Sequence, residues 1–266
     1  MKNDHIGKIK KINKKAVFSV VLMLVLCFVV HLYAGEEPIK DGLVEYIGAQ
    51  KRMFETGKAE GVLHLKFFEG KNNLYAVGPV ALLDGEITLL NSKAYVSKVR
   101  GNDYYVDNTL SHEALFLVWS QVPRWKDVSV PESITNYVQL QKFIKDQAGY
   151  SGMDVSKPIP FMLIGTPVEI VWHINCDKTD GKPITRKLFA KSKVIYTLKN
   201  EPVDIIGFYS ERHNGIFISQ YVPAIKPESG EKNAVHMHFV SRTTKATGHI
   251  DNIILGKNMV LRLPEK

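Results

Sequence analysis

The stretch VHMHFVSRTTKATGHIDN, residues 235–252, decides how the fold of this chain is interpreted from its sequence. Its first part alternates apolar residues with His236 and His238, which is the pattern of a strand with one face in an apolar core. Successive side chains of a strand point to opposite faces, so both histidines are expected on the same face. The stretch therefore predicts a strand that carries a His-x-His pair.

The second part of the stretch brings a third histidine back toward this pair. Residues 243–248 are polar and end in glycine, which favours a turn, and the next strand then begins at His249. Three neutral imidazoles with one open position are the usual catalytic zinc arrangement, whereas structural sites close the shell with a fourth ligand. We therefore predict a metal site at His236, His238 and His249. The other interpretation is a strand whose histidine face is solvated.

Two other kinds of metal site use a His-x-His pair, and neither fits this spacing. A cupin site needs a glutamate a few residues later, and the segment FVSR, residues 239–242, supplies none. A carbonic-anhydrase-like site takes its third histidine from farther along the chain. A lone His-x-His is a weak signal, so the third histidine matters most.

The first 34 residues have the pattern of a leader. Residues 1–15 contain six lysines and one aspartate, and residues 16–34 contain no Asp, Glu, Lys or Arg. A basic segment, an apolar segment and a small residue at Ala34 are typical of an export signal. The apolar segment is also long enough to cross a bilayer. The sequence predicts a signal peptide or N-terminal membrane anchor over residues 1–34, and a protein that is exported (extracellular or periplasmic) or tethered to the membrane through residues 16–34.

The leader also accounts for most of the basic character of the chain. The formal net charge of the whole sequence is +8, and the six lysines and one aspartate of the leader account for five of these charges. No basic stripe with interleaved aromatic residues is present in the rest, so nucleic acid is not a predicted partner. Cys176 is the one cysteine outside the leader, so an internal disulfide is excluded and the apolar core must hold the fold.

Strand patterns dominate the remaining residues. Asp84-Gly85 lies between two strand-like runs and predicts a tight hairpin turn, and residues 91–93 predict the next turn. Helical patterns cover residues 44–57 and 131–149. Strands are predicted at residues 61–68, 114–122, 167–175, 193–198, 203–210, 215–222, 235–241 and 249–255. Many strands with few helices predict an α+β fold with largely antiparallel sheets.

These residues together resemble the acetolactate decarboxylase family. The family segment Tyr-His-Leu-His-Phe stands here as VHMHF, residues 235–239, and Gly-Gly-His stands as TGH, residues 247–249. The family turn Leu-Asp-Gly-Glu is matched by residues 83–86, and its Thr-Arg pair by residues 185–186. Its Val-Gly-Phe strand is similar to IGF, residues 206–208. The resemblance extends from about residue 44 to the C-terminal end.

The resemblance implies a fold, a reaction and a set of site residues. The family converts 2-acetolactate, a small 2-hydroxy-3-oxo acid, to acetoin and carbon dioxide at a zinc ion that stabilises negative charge as a Lewis acid. By match, His236, His238 and His249 are the metal ligands, with Zn²⁺ or another divalent metal as cofactor. Glu86 and Arg186 are the catalytic residues that manage the proton and orient the substrate. The remaining histidines of the domain are expected in ordinary core or surface positions: His64, His112, His173 and His213.

The resemblance also implies the domain organisation. Residues 35–266 are expected to form one acetolactate decarboxylase-like domain of two closely packed, largely antiparallel β-sheet halves with a few helices. The N-terminal half covers about residues 41–165, and the metal-binding C-terminal half about residues 166–266. A homodimer is a further implication.

Two departures from the family pattern keep a second function open. The family segment Gly-Thr-Phe-Asn-Gly before the Leu-Asp-Gly-Glu turn reads GPVAL here, residues 78–82, so a threonine and an asparagine are missing. The family glutamate in the C-terminal tail has only Glu265 as a candidate counterpart. The alternative is an exported, catalytically silent metal-binding protein on the same fold. A membrane-tethered structural protein without a metal is the third possibility.

Overall fold

β-strands are the main regular elements of the computed structural model, which describes residues 43–265. The strands are β1 (Val44–Ile47), β2 (Leu63–His64), β3 (Leu74–Pro79), β4 (Glu86–Leu90), β5 (Lys93–Arg100), β6 (Asp103–Asp107), β7 (Glu113–Ala114), β8 (Leu117–Gln121), β9 (Trp125–Ser129), β10 (Ile159–Gly165), β11 (Glu169–Asn175), β12 (Lys193–Lys199), β13 (Val203–Tyr209), β14 (Val235–Ser241), β15 (Thr247–Ile254) and β16 (Val260–Pro264). The α-helices are α1 (Gln50–Thr56), α2 (Tyr137–Tyr150) and α3 (Arg186–Lys191). Short 3-10 helices cover Leu65–Phe68, Ala81–Leu83 and Pro227–Ser229. The predicted leader, residues 1–34, lies outside the described residues.

The strands form three sheets in which the paired strands run antiparallel. One sheet has six strands in the order β1-β8-β3-β4-β5-β6, and another has eight in the order β12-β11-β15-β14-β13-β10-β16-β9. Strands β2 and β7 form a small third sheet. This architecture confirms the predicted α+β fold with largely antiparallel sheets and few helices. Within residues 43–265, no helix has the length and apolar character needed to cross a membrane.

The two large sheets take their strands from different parts of the chain. All strands of the six-stranded sheet lie before residue 122, whereas β9 and β10 already belong to the eight-stranded sheet. The change of sheet therefore falls between Gln121 and Trp125. Strand pairing over long distances in the chain decides this boundary, and a pattern within one strand carries no information about it.

Apolar side chains cover both faces of the eight-stranded sheet. On the outer face, Leu140 and Ile144 of α2 pack in one core with Met237 and Phe239 of β14. Each such fully buried side chain contributes about 1.5–3 kcal/mol. On the inner face, residues of β13 such as Phe208 share a core with residues of the six-stranded sheet. The inner face of one large sheet thus packs against the other, and any polar group in that interface is removed from water.

Helix α2 forms where the sequence provides both a cap and an apolar stripe. The side chain of Asn136 accepts a hydrogen bond from the backbone N–H of Gln139 at 3.0 Å, which satisfies one of the free donors at the helix start. The buried residues of the helix recur at helical spacing: Tyr137, Leu140, Ile144 and Ala148. The helix begins six residues after the predicted start, because Asn136 is the residue that caps it.

The hairpin between β3 and β4 is longer than predicted. Asp84-Gly85 does not form a two-residue turn, because a 3-10 helix at Ala81–Leu83 is inserted and buries Leu83. Gly85 has φ +131°, and a Cβ there would lie 2.3 Å from the carbonyl oxygen of Ser97. The glycine therefore serves close approach of β5 rather than a tight turn. The turn predicted after β4 is confirmed at Asn91 and Ser92, both with positive φ.

Three segments have a different secondary structure from the one predicted. Residues 44–57 contain β1 and the short helix α1 rather than one helix, and the predicted strand at residues 61–68 becomes a 3-10 helix after β2. Residues 215–222 form turns rather than a strand. In this last segment Phe217 and Ile218 are buried between the sheets, so the apolar pattern reflects burial of a loop and not strand pairing.

Candidate metal centre

The predicted histidines lie on the inner face of the eight-stranded sheet. Strand β14 directs Met237 and Phe239 into the outer core, so His236 and His238 point toward the six-stranded sheet. His249 of β15 is the register partner of His238 across the antiparallel pair. His236 and His238 are 3% and 0% exposed, so the alternative of a solvated strand face is excluded.

The three imidazole rings converge between the sheets. Their centroids are 5.1 Å apart for His236 and His238, 4.9 Å for His236 and His249, and 5.5 Å for His238 and His249. One nitrogen of each ring is buried without a hydrogen-bond partner: Nδ1 of His236, Nε2 of His238 and Nδ1 of His249. A buried polar atom without a partner is costly unless another ligand satisfies it. Three of them on adjacent rings therefore mark a place where a cation can bind.

Hydrogen bonds on the other side of two rings fix their orientation. Nδ1 of His238 lies 3.1 Å from the hydroxyl of Thr88, which accepts a hydrogen bond from Thr247 at 2.8 Å. The ring of His236 makes a backbone hydrogen bond with Phe217. In the tautomer in which this nitrogen donates its proton, the other ring nitrogen presents a lone pair, as it does in metal-binding histidines.

Burial keeps these rings uncharged. It lowers the pKa of His236 to about 3, with the hydrogen bond to Phe217 opposing the shift. Burial likewise lowers the pKa values of His238 and His249 well below the usual range, and the neighbouring imidazoles lower them further. Neutral imidazole is the form that binds a metal, so the cluster is in that form at neutral pH.

Glu86 reaches the cluster from the opposite sheet. Strand β4 directs Ile87 and Leu89 to the outer core, so Glu86 faces inward and is 1% exposed. Its Oε2 lies 3.6 Å from Nε2 of His238, and its Oε1 lies 3.8 Å from Nε2 of His173. Burial raises the pKa of Glu86 well above its usual range, although Lys193 and Asn175 oppose the shift. Burial therefore favours the neutral, protonated form of this carboxyl group.

His173 and Asp251 belong to the cluster, and the sequence did not identify either of them. His173 was expected in an ordinary core or surface position, but its ring stacks on that of His249 with centroids 4.7 Å apart. Its Nδ1–H donates to Oδ2 of Asp251 at 2.8 Å. Ligand atoms of His173, His249 and Asp251 lie within 4.8 Å of one another, which makes this group a second candidate set of metal ligands.

The sequence contains a pattern that could have identified Asp251 but none for His173. Asp251 lies two positions after His249 in the same strand, so the period of two places both on one face and could have identified Asp251. His173 has no such signal, because it joins the cluster only through the pairing of β11 with β15. That pairing joins segments far apart in the chain.

The other predicted catalytic residue, Arg186, lies outside the histidine cluster. It is an exposed residue at the start of α3, and its guanidinium donates to Oε1 of Gln220 at 3.2 Å. The same group lies 5.3 Å from the ring centroid of Phe54. Arg186 lines an outer cleft that also includes Lys193 and Asp251, so it is placed at the approach to the cluster.

The cluster opens into a small cavity of about 40 Å³. Glu86, His173, His236 and His249 contribute to its wall together with Lys193. A water molecule needs about 10–15 Å³ by this measure, so the cavity has room for the reacting end of a small ligand. The wall therefore combines neutral imidazole nitrogens, a buried carboxyl group with a raised pKa and the cation of Lys193, a set that can bind a small anionic ligand.

Comparison with solved structures identifies the fold. A Staphylococcus aureus protein described as of unknown function and similar to alpha-acetolactate decarboxylase matches with a TM-score of 0.62 and 13% identity, over 83% of this chain and 84% of that chain. Alpha-acetolactate decarboxylase from Bacillus subtilis strain 168 matches with a TM-score of 0.60 and 14% identity, over 84% and 86%. Acetolactate decarboxylase from Bacillus subtilis subspecies spizizenii gives the same four values.

These matches establish the fold and no more, because the identities are low. No protein-family model matches the chain, and the search of curated proteins finds no match. The chain has the fold of acetolactate decarboxylase, with a buried cluster of histidines and carboxyl groups between its two large sheets.

Proposed function

We propose that this protein is a divergent member of the acetolactate decarboxylase family, a metal-dependent carboxy-lyase that converts 2-acetolactate to acetoin and carbon dioxide. The observation that carries this proposal is the set of three buried, unpartnered nitrogens of His236, His238 and His249 beside the buried carboxyl of Glu86. The fold shared with acetolactate decarboxylases supports it. Zn²⁺, or another divalent metal, is the proposed cofactor.

The spacing of the three rings supports a shared zinc ion. Imidazoles bonded to zinc at about 2.0–2.1 Å in tetrahedral directions have ring centroids about 5 Å apart. The three centroid separations lie between 4.9 and 5.5 Å. We favour this set over His173, His249 and Asp251, because the buried imidazole nitrogens without a hydrogen-bond partner belong to His236, His238 and His249 and these are the residues that match the family segment. In this proposal the His173–Asp251 pair orients its neighbours, as carboxylate–histidine pairs do beside metals.

A bound zinc ion would act as a Lewis acid that stabilises negative charge on the substrate oxygens. Glu86 is proposed to transfer the proton that the reaction needs. When the bond to the carboxylate breaks, carbon dioxide leaves and the electron pair stays with the remaining fragment. Glu86 then delivers one proton to the carbon that lost the carboxylate, which gives acetoin, and it regains a proton from solvent. The raised pKa of Glu86 and its position in a water-poor interface support this role.

Arg186 is proposed to orient the substrate carboxylate on its approach. Its exposed position at the outer cleft supports a role in attraction and orientation rather than in bond breaking. Lys193, which lines both the cleft and the inner cavity, provides a second cation on the same route.

One observation favours a second candidate, a catalytically silent metal-binding protein on this fold. The guanidinium of Arg186 is bonded to Gln220 and not to the histidine cluster, so the metal ligands could be present without a complete substrate site. This candidate expects stoichiometric zinc and no turnover of any 2-hydroxy-3-oxo acid.

The decisive experiment is acetoin formation from racemic 2-acetolactate by the purified protein, with and without added zinc. Zinc-dependent acetoin above the spontaneous rate supports the decarboxylase. Bound zinc without acetoin supports the silent metal-binding protein, and the absence of any bound divalent metal contradicts both.

Location and assembly are further proposals. The basic and apolar leader supports export or membrane tethering through residues 16–34. Fractionation of cells that express the full chain tests this, and recovery in the cytosol would contradict it. A homodimer is proposed from the family resemblance, and the molar mass in solution tests it.

A further inference from the structure

An outer cleft continues from the inner cavity to the surface. It has a volume of about 620 Å³, compared with about 40 Å³ for the inner cavity. The residues that line both spaces are Gln50, Phe189, Lys193, Ser219, Tyr221 and Asp251. A ligand that reaches the histidines can therefore place only a small part in the inner cavity, and the rest must lie in the cleft.

The cleft has a strong excess of positive charge. Lys51, Arg186, Lys187 and Lys193 line it, and Asp251 is the single acidic residue in its wall. The carboxylate of Asp251 is already bonded to His173 at 2.8 Å. Within the part of the chain that the structure describes, no carboxylate forms an ion pair with any of these four cations.

Two aromatic contacts hold the cationic walls in place. Phe54 of α1 and Phe189 of α3 pack edge to face with centroids 5.6 Å apart. Lys51 lies one turn before Phe54 and therefore on the same face of α1. Lys187 lies on α3, next to Arg186, whose guanidinium lies over the ring of Phe54. The two helices thus present lysines from both sides of one cleft.

We propose that this cleft is an anion subsite, and that besides 2-acetolactate the site accepts 2-hydroxy acids with a second carboxylate beyond the reacting end. The inference rests on the proposed function for the orientation of the ligand, with the hydroxy-acid end in the inner cavity and the second carboxylate between Lys51 and Lys187. A substrate with one carboxylate would engage the inner cations and leave these two lysines without a partner. They are the residues that determine specificity for the longer ligand.

The test compares two five-carbon acids that share one end. 2-Hydroxyglutarate carries a terminal carboxylate where 2-hydroxyvalerate carries a methyl group. Their affinities are measured by calorimetry with and without zinc, for the parent protein and for the Lys51→Gln/Lys187→Gln double variant. Lys126→Gln is the control, because Lys126 is exposed on β9 and does not line the cleft.

We expect the parent protein to bind 2-hydroxyglutarate about tenfold more tightly, which corresponds to about 1.4 kcal/mol. The double variant should lose this preference and leave the affinity for 2-hydroxyvalerate unchanged, and added salt should weaken the preference. Equal affinities in the parent protein, no binding of either acid, or a preference that survives in the double variant overturns the proposal.

This outcome is separable from that of the decarboxylase proposal. A preference for the dicarboxylate without acetoin formation retains the anion subsite and removes the decarboxylase. Acetoin formation without the preference retains the decarboxylase and removes the anion subsite. Because the lysines act without the metal, the preference is expected in both the zinc-loaded and the zinc-free protein.

Discussion

His238 and His249 are register partners on adjacent antiparallel strands, and their ring centroids lie 5.5 Å apart on the inner face of the sheet. Each has a buried nitrogen without a hydrogen-bond partner. Backbone pairing therefore sets the separation of the two rings, and no flexible loop needs to close around a ligand. A rigid, water-poor set of neutral donors is well suited to hold a divalent metal.

The first prediction concerns His238→Ala. Removal of this imidazole takes away one of three proposed ligands, so we expect the variant to lose bound zinc and acetoin formation together. Metal analysis after dialysis and the acetoin assay measure both. His64→Ala is the matched control, because His64 is exposed and lies outside the cluster. A His238→Ala protein with stoichiometric zinc and parental turnover would contradict the metal site.

The second prediction separates chemistry from metal binding at Glu86. Glu86→Gln keeps the size of the side chain and removes its proton-transfer capacity. We expect zinc to be retained and turnover to fall by about 10²–10⁴-fold. Steady-state kinetics on the zinc-loaded variant measures this. Glu132→Gln, at an exposed position, serves as the control. Parental turnover in Glu86→Gln would exclude Glu86 as the proton donor.

Glu86→Gln is also expected to change the pH dependence of the stability of the metal-free protein. Burial raises the pKa of Glu86 above the value in the unfolded chain, so the folded state keeps its proton over a range in which the unfolded state loses it. Stability from this group is present below the unfolded pKa and is lost as the pH rises toward the folded pKa. Glu86→Gln should therefore unfold at higher urea than the parent at alkaline pH, and the difference should shrink at acidic pH.

The sequence predicted the part of this site that local patterns control. Alternation places His236 and His238 on one face, and the turn before His249 returns the chain beside them. Glu86 followed from the family turn, and its inward direction agrees with the alternation in β4. These features depend on a few neighbouring residues, so they can be recognised without the rest of the fold.

The missed features depend on contacts between distant segments. His173 joins the cluster because β11 pairs with β15, and no periodicity encodes which strands become neighbours. Arg186 was placed by motif alone, and the structure positions it at the outer cleft. The segment at residues 215–222 has a strand-like apolar pattern because it is buried between two sheets, and burial of a loop produces the same composition.

The third prediction tests the residue that orients His238. Thr88→Val removes the hydroxyl that lies 3.1 Å from Nδ1 of His238 and that accepts from Thr247. We expect zinc affinity to fall about 10–100-fold, the usual effect of losing such a partner. Competition with a chelator measures the affinity. Thr88→Ser keeps the hydroxyl and should retain most of the zinc affinity. Equal affinities for the Val and Ser variants would show that the hydroxyl does not orient the ring.

The fourth prediction concerns acid stability of the metal-free protein. The pKa of His236 is about 3 in the folded state, whereas an unperturbed histidine titrates near 6.5. Between these values the unfolded state binds a proton that the folded state does not, so stability falls as the pH falls, by about 1.4 kcal/mol per pH unit for each such histidine. Urea unfolding over this range should show a shallower pH dependence in His236→Gln than in the parent. His64→Gln is the matched control, and equal slopes for all three proteins would contradict a buried neutral His236.

The last prediction uses the close contact between β15 and β11 beside His249. A Cβ at Gly248 would lie 2.6 Å from the ring of Trp172 and 2.8 Å from the carbonyl oxygen of His173, and neither atom belongs to a flexible chain end. Gly248→Ala should therefore push the two strands apart, lower the free energy of unfolding by about 1–3 kcal/mol and weaken zinc binding through His249. Urea unfolding and chelator competition measure the two effects.

Gly149→Ala is expected to change the free energy of unfolding in the opposite direction to Gly248→Ala. Gly149 lies in α2, where the nearest atom to a new Cβ is 3.9 Å away, so alanine should raise the free energy of unfolding by about 0.5–1 kcal/mol through its higher helix propensity. Zinc binding should not change, because α2 packs on the outer face of the sheet, away from the histidines. If Gly248→Ala were as stable as the parent and bound zinc equally well, the contact of β15 with β11 would not position His249.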